Sequence, residues 1–328
     1  MSFKGKIQKK ILENSDSYKF YKDSYESGDK NLEKRIAKLE KEHNAILDSY
    51  NTLFNIIFQD YELQPKGVLR YSQELCLELL TFVGNICKKY GLEYWVDYGN
   101  LLGAVRHGGY IPWDDDMDIG MTRKDYEKFI SVFDDEIKLH GLEDSFDFRV
   151  YRNDTVMFLQ MIYLADGIGM IGGLDVFPYD FIKSYDETTE KTFADEKNKM
   201  KKIVREGGDI EKGIRDYMEV LNATYEKQDY IIAGVEGARS SFSRYSFDVL
   251  ETDKLFPLKE MDFSGMKVTC PRDPDYWLTS IYGDYHMIHK VIATHTRLYN
   301  LKKRPNIEEV FKEHLDKFRK VNETFDDV

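Results

Sequence analysis

Apolar side chains recur near the start of the chain at alternating steps of four and three: Leu32, Ile36, Leu39, His43, Ile46, Tyr50, Leu53 and Ile57. This spacing is the seam of a heptad repeat and predicts a long amphipathic helix. The surrounding sixty or so residues contain no proline and are rich in Lys and Glu. Ser27, Gly28 and Asp29 mark an expected break before the helix. Two readings of the stripe stand level. It pairs with a partner or a second copy, giving a homodimer, or it packs on the protein's own body.

Pro65 and Gly67 divide this segment, residues 1–65, from a larger domain over 66–328. From Tyr71 to Tyr90 the positions Leu75, Leu79, Phe82, Val83 and Ile86 keep helical spacing, and Gly91 supplies the stop. Glu93 to Tyr98 reads as a strand closing on Gly99, followed by a short helix from Leu101 to His107. Beyond Asp116 polar and apolar residues alternate, which places Asp116 and Asp118 on one face of a strand and Met117 and Ile119 on the other. Thr122 with Asp125 opens a helix that runs to His140. Phe148 to Tyr151, Met157 to Leu164 and the short Leu174 to Phe177 complete the strand candidates of this stretch. Residues from about 187 to 245 are polar and helical in pattern, with Gly207 and Gly208 as an interruption, and read as a helical insertion. A hairpin through Ser264 and Gly265 and a helix from Asp275 to Tyr282 follow.

Composition narrows the function. The 328 residues are 42% hydrophobic and 14% aromatic, enough for a sizeable core. A formal net charge of -12 argues against broad binding to nucleic acid or anionic lipid. The three cysteines, Cys76, Cys87 and Cys270, have no metal-ligand spacing and suit a reducing compartment. No signal-peptide pattern or stretch of about 18 apolar residues occurs, so a cytoplasmic protein without a transmembrane segment is expected.

The chemistry concentrates at Asp114, Asp115, Asp116 and Asp118. Carboxylates this close repel one another, and a cation relieves the repulsion. Hard oxygen ligands favour Mg²⁺ or Mn²⁺. A solvated acidic loop fits less well, because Ile111, Trp113, Ile119 and Met121 flank the run and acidic groups among apolar neighbours are costly. A calcium loop of EF-hand type fails where Ile119 replaces the turn glycine and Asp125 the bidentate glutamate. Asp175, in its own apolar strand, is the best third ligand. The glycine-led turn at Gly99 and Asn100 would offer backbone N–H groups to phosphate beside that metal.

The run from Tyr98 through Gly99-Asn100-Leu101-Leu102-Gly103, Arg106-His107-Gly108-Gly109 and Ile111-Pro112-Trp113-Asp114-Asp115-Asp116-Met117-Asp118 to Met121 resembles the signature of the LicD family. The likeness continues in Leu174-Asp175-Val176-Phe177-Pro178-Tyr179-Asp180, in Leu255-Phe256-Pro257-Leu258 and in Tyr282-Gly283-Asp284-Tyr285. Members transfer phosphocholine or related phospho-alcohols from CDP-activated donors to cell-surface glycans, and fukutin-type ribitol-phosphate transferases are distant relatives. The resemblance implies a nucleotidyltransferase-type α/β fold, a mixed sheet flanked by helices. It implies Asp116, Asp118 and Asp175 as catalytic metal ligands for Mg²⁺ or Mn²⁺. Gly99, Asn100, Arg106, His107, Trp113, Asp114 and Asp115 would bind the donor, a CDP-alcohol. The acceptor would be a glycan hydroxyl of a teichoic acid, capsule or lipopolysaccharide precursor, at the inner face of the membrane. The family usually carries a small hydroxylated residue where Asn100 stands. Arg106 has a second reading, as ion-pair partner of Asp114 and Asp115. Two other functions compete: a nucleotidyltransferase that leaves the nucleotide on its acceptor, and a scaffold acting through the N-terminal helix.

Overall fold

The computed structural model describes residues 16–60, 63–237, 249–286 and 296–325. The chain divides into two compact units, the first carrying the N-terminal helix and the second everything from Leu63 to His286 and from Ala293 onward. Helix α1 (Asp16–Asp60) runs for 45 residues without the break expected at Ser27–Asp29. A single glycine inside a helix costs only about 1 kcal/mol, which the long flanking runs of helix formers absorb. Along its seam Leu32, Leu39, Ile46 and Leu53 are 51, 63, 54 and 51% exposed, so the stripe is open to solvent in the single chain.

In the second unit α2 (Val68–Tyr90) buries the face carrying Leu75, Leu79, Phe82, Val83 and Ile86, and Gly91 ends it in the left-handed conformation at φ 65°. Strand β1 (Trp95–Val96) is only two residues long because Asp97 leaves it to cap α3 (Tyr98–His107), accepting the Tyr98 N–H at 2.9 Å. The helix therefore starts at Tyr98, not Leu101, and the expected strand is shorter. Strand β2 (Asp118–Thr122) leads directly into α4 (Arg123–Leu139), capped by Thr122 as its spacing from Asp125 predicts. Then come β3 (Phe146–Arg149), β4 (Leu159–Ala165) and β5 (Gly169–Ile182).

The insertion supplies α5 (Glu187–Glu206) and α6 (Ile210–Leu221), separated at the two glycines. It is not helical throughout: β6 (Tyr230–Ala233) brings it back to the sheet, while residues 238–245 lie outside the described residues. After β7 (Val249–Glu251) and the single turn α7 (Thr252–Leu255), β8 (Lys259–Phe263) and β9 (Met266–Cys270) form the expected hairpin. Helices α8 (Pro274–Tyr282), α9 (Thr296–Leu301) and α10 (Ile307–Glu323) close the chain.

The main sheet is mixed, in the order β1-β2-β5-β4-β3, with β6 joined to β5 and β7 to β6. Among the described residues β2 and β5 pair in parallel and the other pairs of the sheet are antiparallel. Leu174–Phe177, expected as a short strand, is the middle of the 14-residue β5, which pairs with β4 along its first half and with β6 along its second. On one side Phe82 of α2 meets Phe133, Phe146 and Phe318 at ring separations of 6.3, 6.3 and 5.8 Å, locking α2, α4, β3 and α10 together. Phe193, Met200, Tyr217 and Leu221 of the insertion bury a smaller core against Ile182 and Ile232.

Candidate active site

Register carries the site across the sheet. Asp118 on β2 lies opposite Asp175 on β5, and Asp175 lies opposite Gln160 on β4. Residues directly opposite share a face, so Asp118, Asp175 and Gln160 form one row over three strands. Asp116 precedes β2, but the Asp175 N–H donates to the Met117 carbonyl at 2.8 Å and carries the pairing one step further. Burial alternates accordingly: Asp115, Met117 and Ile119 are buried, while Asp116 and Asp118 are partly exposed. The alternation read from sequence holds, although only Asp118 sits within the strand proper.

The loop before β2 is held from several directions. Asn100, 1% exposed, accepts the Asp118 N–H at 2.6 Å and donates to the Asp116 carbonyl at 3.3 Å. Its amide thus clamps the backbone that bears the carboxylates, a task a hydroxyl cannot do with both a donor and an acceptor arm of that reach. A Cβ on Gly99 would lie 3.0 Å from the Asp114 carboxylate, so the glycine lets the first turn of α3 approach the acidic loop without displacing that side chain. Gln73 donates to the Asp114 carbonyl at 2.7 Å.

The proposed pairing of Arg106 with Asp114 and Asp115 does not form. Arg106 donates to the Tyr285 carbonyl at 3.1 Å and to His107 at 3.0 Å, tying α3 to the segment after α8. The partner of Asp115 is Arg297, which donates to its carboxylate and, at 3.0 Å, to its carbonyl. His107 and Trp113 face each other with rings 6.5 Å apart. Burial and the neighbouring Arg106 push the His107 imidazole down to about 4, so it is neutral at pH 7.

Two residues of the site escaped the sequence reading. Gln160 donates to both carboxylate oxygens of Asp175, at 3.2 and 3.4 Å. Arg297 lies far along the chain but lines, with Asp116, Gln160 and Asp175, a cavity of about 280 Å³. Its Nε is buried and has no hydrogen-bond partner among the described residues. A lone amide in the otherwise apolar strand Leu159–Ala165 was a readable signal for Gln160. Arg297 had none, because its place in the site comes from tertiary folding.

Electrostatics favour a cation here. Burial first, then Asp116, Asp175, Asp114 and Asp97, hold the Asp118 carboxyl well above the usual carboxylate range. Burial followed by Asp116 does the same to Asp114. Among the described residues no group of three or more acidic, His or Cys side chains is placed so that it could hold a metal ion. In donor type alone the residues suit Mg²⁺ or Mn²⁺: Asp118 and Asp175 are hard oxygen donors on one face of the sheet.

Residues 91–206 match the model of the LicD/FKTN/FKRP nucleotidyltransferase domain. Lipopolysaccharide cholinephosphotransferase LicD of Haemophilus influenzae is 41% identical over 75 residues, 23% of this chain and 28% of that protein. An uncharacterised protein of Rickettsia typhi is 32% identical over 150 residues, 37% and 48% of the two chains. Human ribitol 5-phosphate transferase FKRP is 40% identical over 60 residues, 17% and 12%. The chain spans less than half the length of each of these relatives. The match begins at the Gly91 cap of α2 and takes in α3, the acidic loop, β2 and β5, the elements that assemble the carboxylate row. The likeness to the LicD/FKTN/FKRP nucleotidyltransferase domain is thus carried by residues 91–206, which hold the carboxylate row of the candidate site.

Proposed function

We propose that the chain is a divalent-metal-dependent transferase that moves a phospho-alcohol, phosphocholine or a relative, from a CDP-activated donor to a glycan hydroxyl. The observation that carries this reading is the Asp118–Asp175–Gln160 row, with Asp116 and Arg297 beside it at one cavity. The names of the H. influenzae and human relatives, both transferases of phosphorylated alcohols, support the reaction class.

Asp116, Asp118 and Asp175 would hold the metal, which when bound neutralises charge on the donor diphosphate and on the departing phosphate. Arg297 sets a guanidinium against the donor phosphates, with its buried Nε unpartnered among the described residues. Gln160 orients the Asp175 carboxylate, which takes the proton of the acceptor hydroxyl. The acceptor oxygen forms a bond to the phosphorus that carries the alcohol, the bond from that phosphorus to the bridging oxygen breaks, and CMP leaves with that oxygen. Asn100 serves by fixing the loop rather than by touching phosphate. The proposed setting is the cytoplasmic face of the membrane; three buried free cysteines suit a reducing compartment, and among the described residues no helix is long and apolar enough to cross a membrane.

The test is a screen of CDP-choline, CDP-glycerol and CDP-ribitol with candidate glycans, reading CMP release with Mg²⁺, with Mn²⁺ and with EDTA. One donor should release CMP only with metal and pass its phospho-alcohol to the glycan. Turnover that persists in EDTA overturns the metal assignment, and a product carrying the nucleotide makes the protein a nucleotidyltransferase.

A further inference from the structure

A second cavity, of about 560 Å³, lies between α4 and α6, with Arg123, Glu127 and Ile130 on one wall and Ile214 on the other. Arg123 directly follows β2, whereas Asp118 starts it, so the length of that strand, roughly 16 Å, separates this cavity from the carboxylate row. Its volume falls within the range of ligand pockets.

The floor is an ion cluster of uneven charge. The Arg123 guanidinium, 2% exposed, bonds Asp180 through Nε and Nη2 at 2.8 and 2.9 Å and Glu236 through Nη1 and Nη2 at 2.5 and 2.8 Å. Among the described residues one cation thus faces two buried carboxylates. Tyr217 and Tyr151 donate to Asp180 and Glu236 at 2.9 and 2.8 Å, adding hydrogen bonds but no charge. Arg123 and the Tyr151 hydroxyl hold the Glu236 carboxyl below the usual range despite its burial. Backbone strain is accepted to build it: Tyr151 stands at φ 54°. A Cβ on Gly234 would meet Arg123 Nη2 at 2.6 Å.

Around this floor the walls suit a cation with an apolar body. Tyr126, Tyr151 and Tyr225 line the cavity, and aromatic faces attract cations. The Tyr126 hydroxyl, on a residue 2% exposed, has no hydrogen-bond partner among the described residues. Glu127 adds a carboxylate, held by the Tyr225 hydroxyl at 3.1 Å. The rim charges Arg215 and Glu211 face each other at 3.6 Å and cancel.

We infer that this cavity is a binding site for a small organic cation, an alkyl- or arylammonium, seated among Tyr126, Tyr151 and Tyr225 between Glu127 and the Asp180–Arg123–Glu236 cluster. The site is independent of the transferase reading.

Proton NMR titration of the full chain with benzylammonium and with uncharged benzyl alcohol, at one ionic strength, tests it. Benzylammonium should saturate with an affinity about tenfold above the alcohol. Ile214→Trp, which fills the cavity, should abolish that binding while the unfolding temperature is retained. If that variant does not fold, Ile130→Phe on the facing wall gives the same readout. Glu127→Gln should weaken the cation about fivefold and leave the alcohol unchanged. Equal affinity for both probes, or binding indifferent to the filled cavity, would overturn the site and leave only attraction to a chain of net charge -12.

Discussion

At the scale of single residues, the site depends on charge that the fold concentrates. Asp118→Asn keeps the shape of the side chain but removes half the balance for a divalent ion, so turnover should fall about 10²–10⁴-fold with the unfolding midpoint unchanged or raised. Calorimetric titration with a CDP-donor and Mg²⁺ should show weakened donor binding in this variant. Asp175→Asn should lose transfer as severely yet retain part of the donor affinity, because the carboxylate also serves as base. Equal loss of donor binding in both would make Asp175 an ordinary ligand. His107 provides a pH readout. Its folded pKa, about 4, lies below the unfolded value of about 6.5, so its contribution is present above pH 6.5 and is lost as pH falls toward 4. After allowance for its partial exposure the loss is about 1–2 kcal/mol. The drop in urea unfolding free energy from pH 7 to pH 4.5 should be larger for the wild type than for His107→Gln by that amount, and equal drops would remove the effect.

At the scale of elements, the carboxylate row exists because β2 and β5 run parallel in one particular register. A shift of one residue would turn Asp118 to the opposite face from Asp175. What keeps that register is packing: Trp95 of β1 covers Gly120 of β2, where a Cβ would lie 2.3 Å from the indole. On the far side of the sheet, Phe82 joins four elements through its ring contacts. Phe82→Ala should cost about 3–5 kcal/mol in chemical denaturation, through lost contacts and the cavity left behind. A cost below 1 kcal/mol would mean that the aromatic cluster closes around the gap. Helix and strand positions were legible in the chain where a pattern was strong: the Leu75–Ile86 face, the Thr122 cap, the Ser264–Gly265 hairpin. The early start of α3 was not, because Asp97 sits inside the run Glu93–Tyr98 that reads as a strand, yet caps the helix with a carboxylate that also accepts bonds from Tyr179 and Trp277. The return of the insertion as β6 was masked by the polar helical stretch before it.

At the scale of the whole molecule, the exposed seam of α1 has an expected occupant in a second copy of the chain, since a heptad stripe left in water is stabilised by pairing with another. Light scattering of the full-length protein should give a dimer mass, and Leu39→Glu with Ile46→Glu should return it to a monomer. A monomer at the outset would assign the stripe a different role. The sequence by itself determined the mixed α/β class, the long helix, the carboxylate-bearing segments and the likeness to the LicD family, because these rest on local periodicity and on contiguous motifs. Only the tertiary structure decided which side chains meet. Register set Asp118, Asp175 and Gln160 in one row, and the return of the chain after α8 gave Asp115 its partner in Arg297 and took Arg106 elsewhere. Such pairings depend on how distant segments pack, and a motif read along the chain carries no record of that.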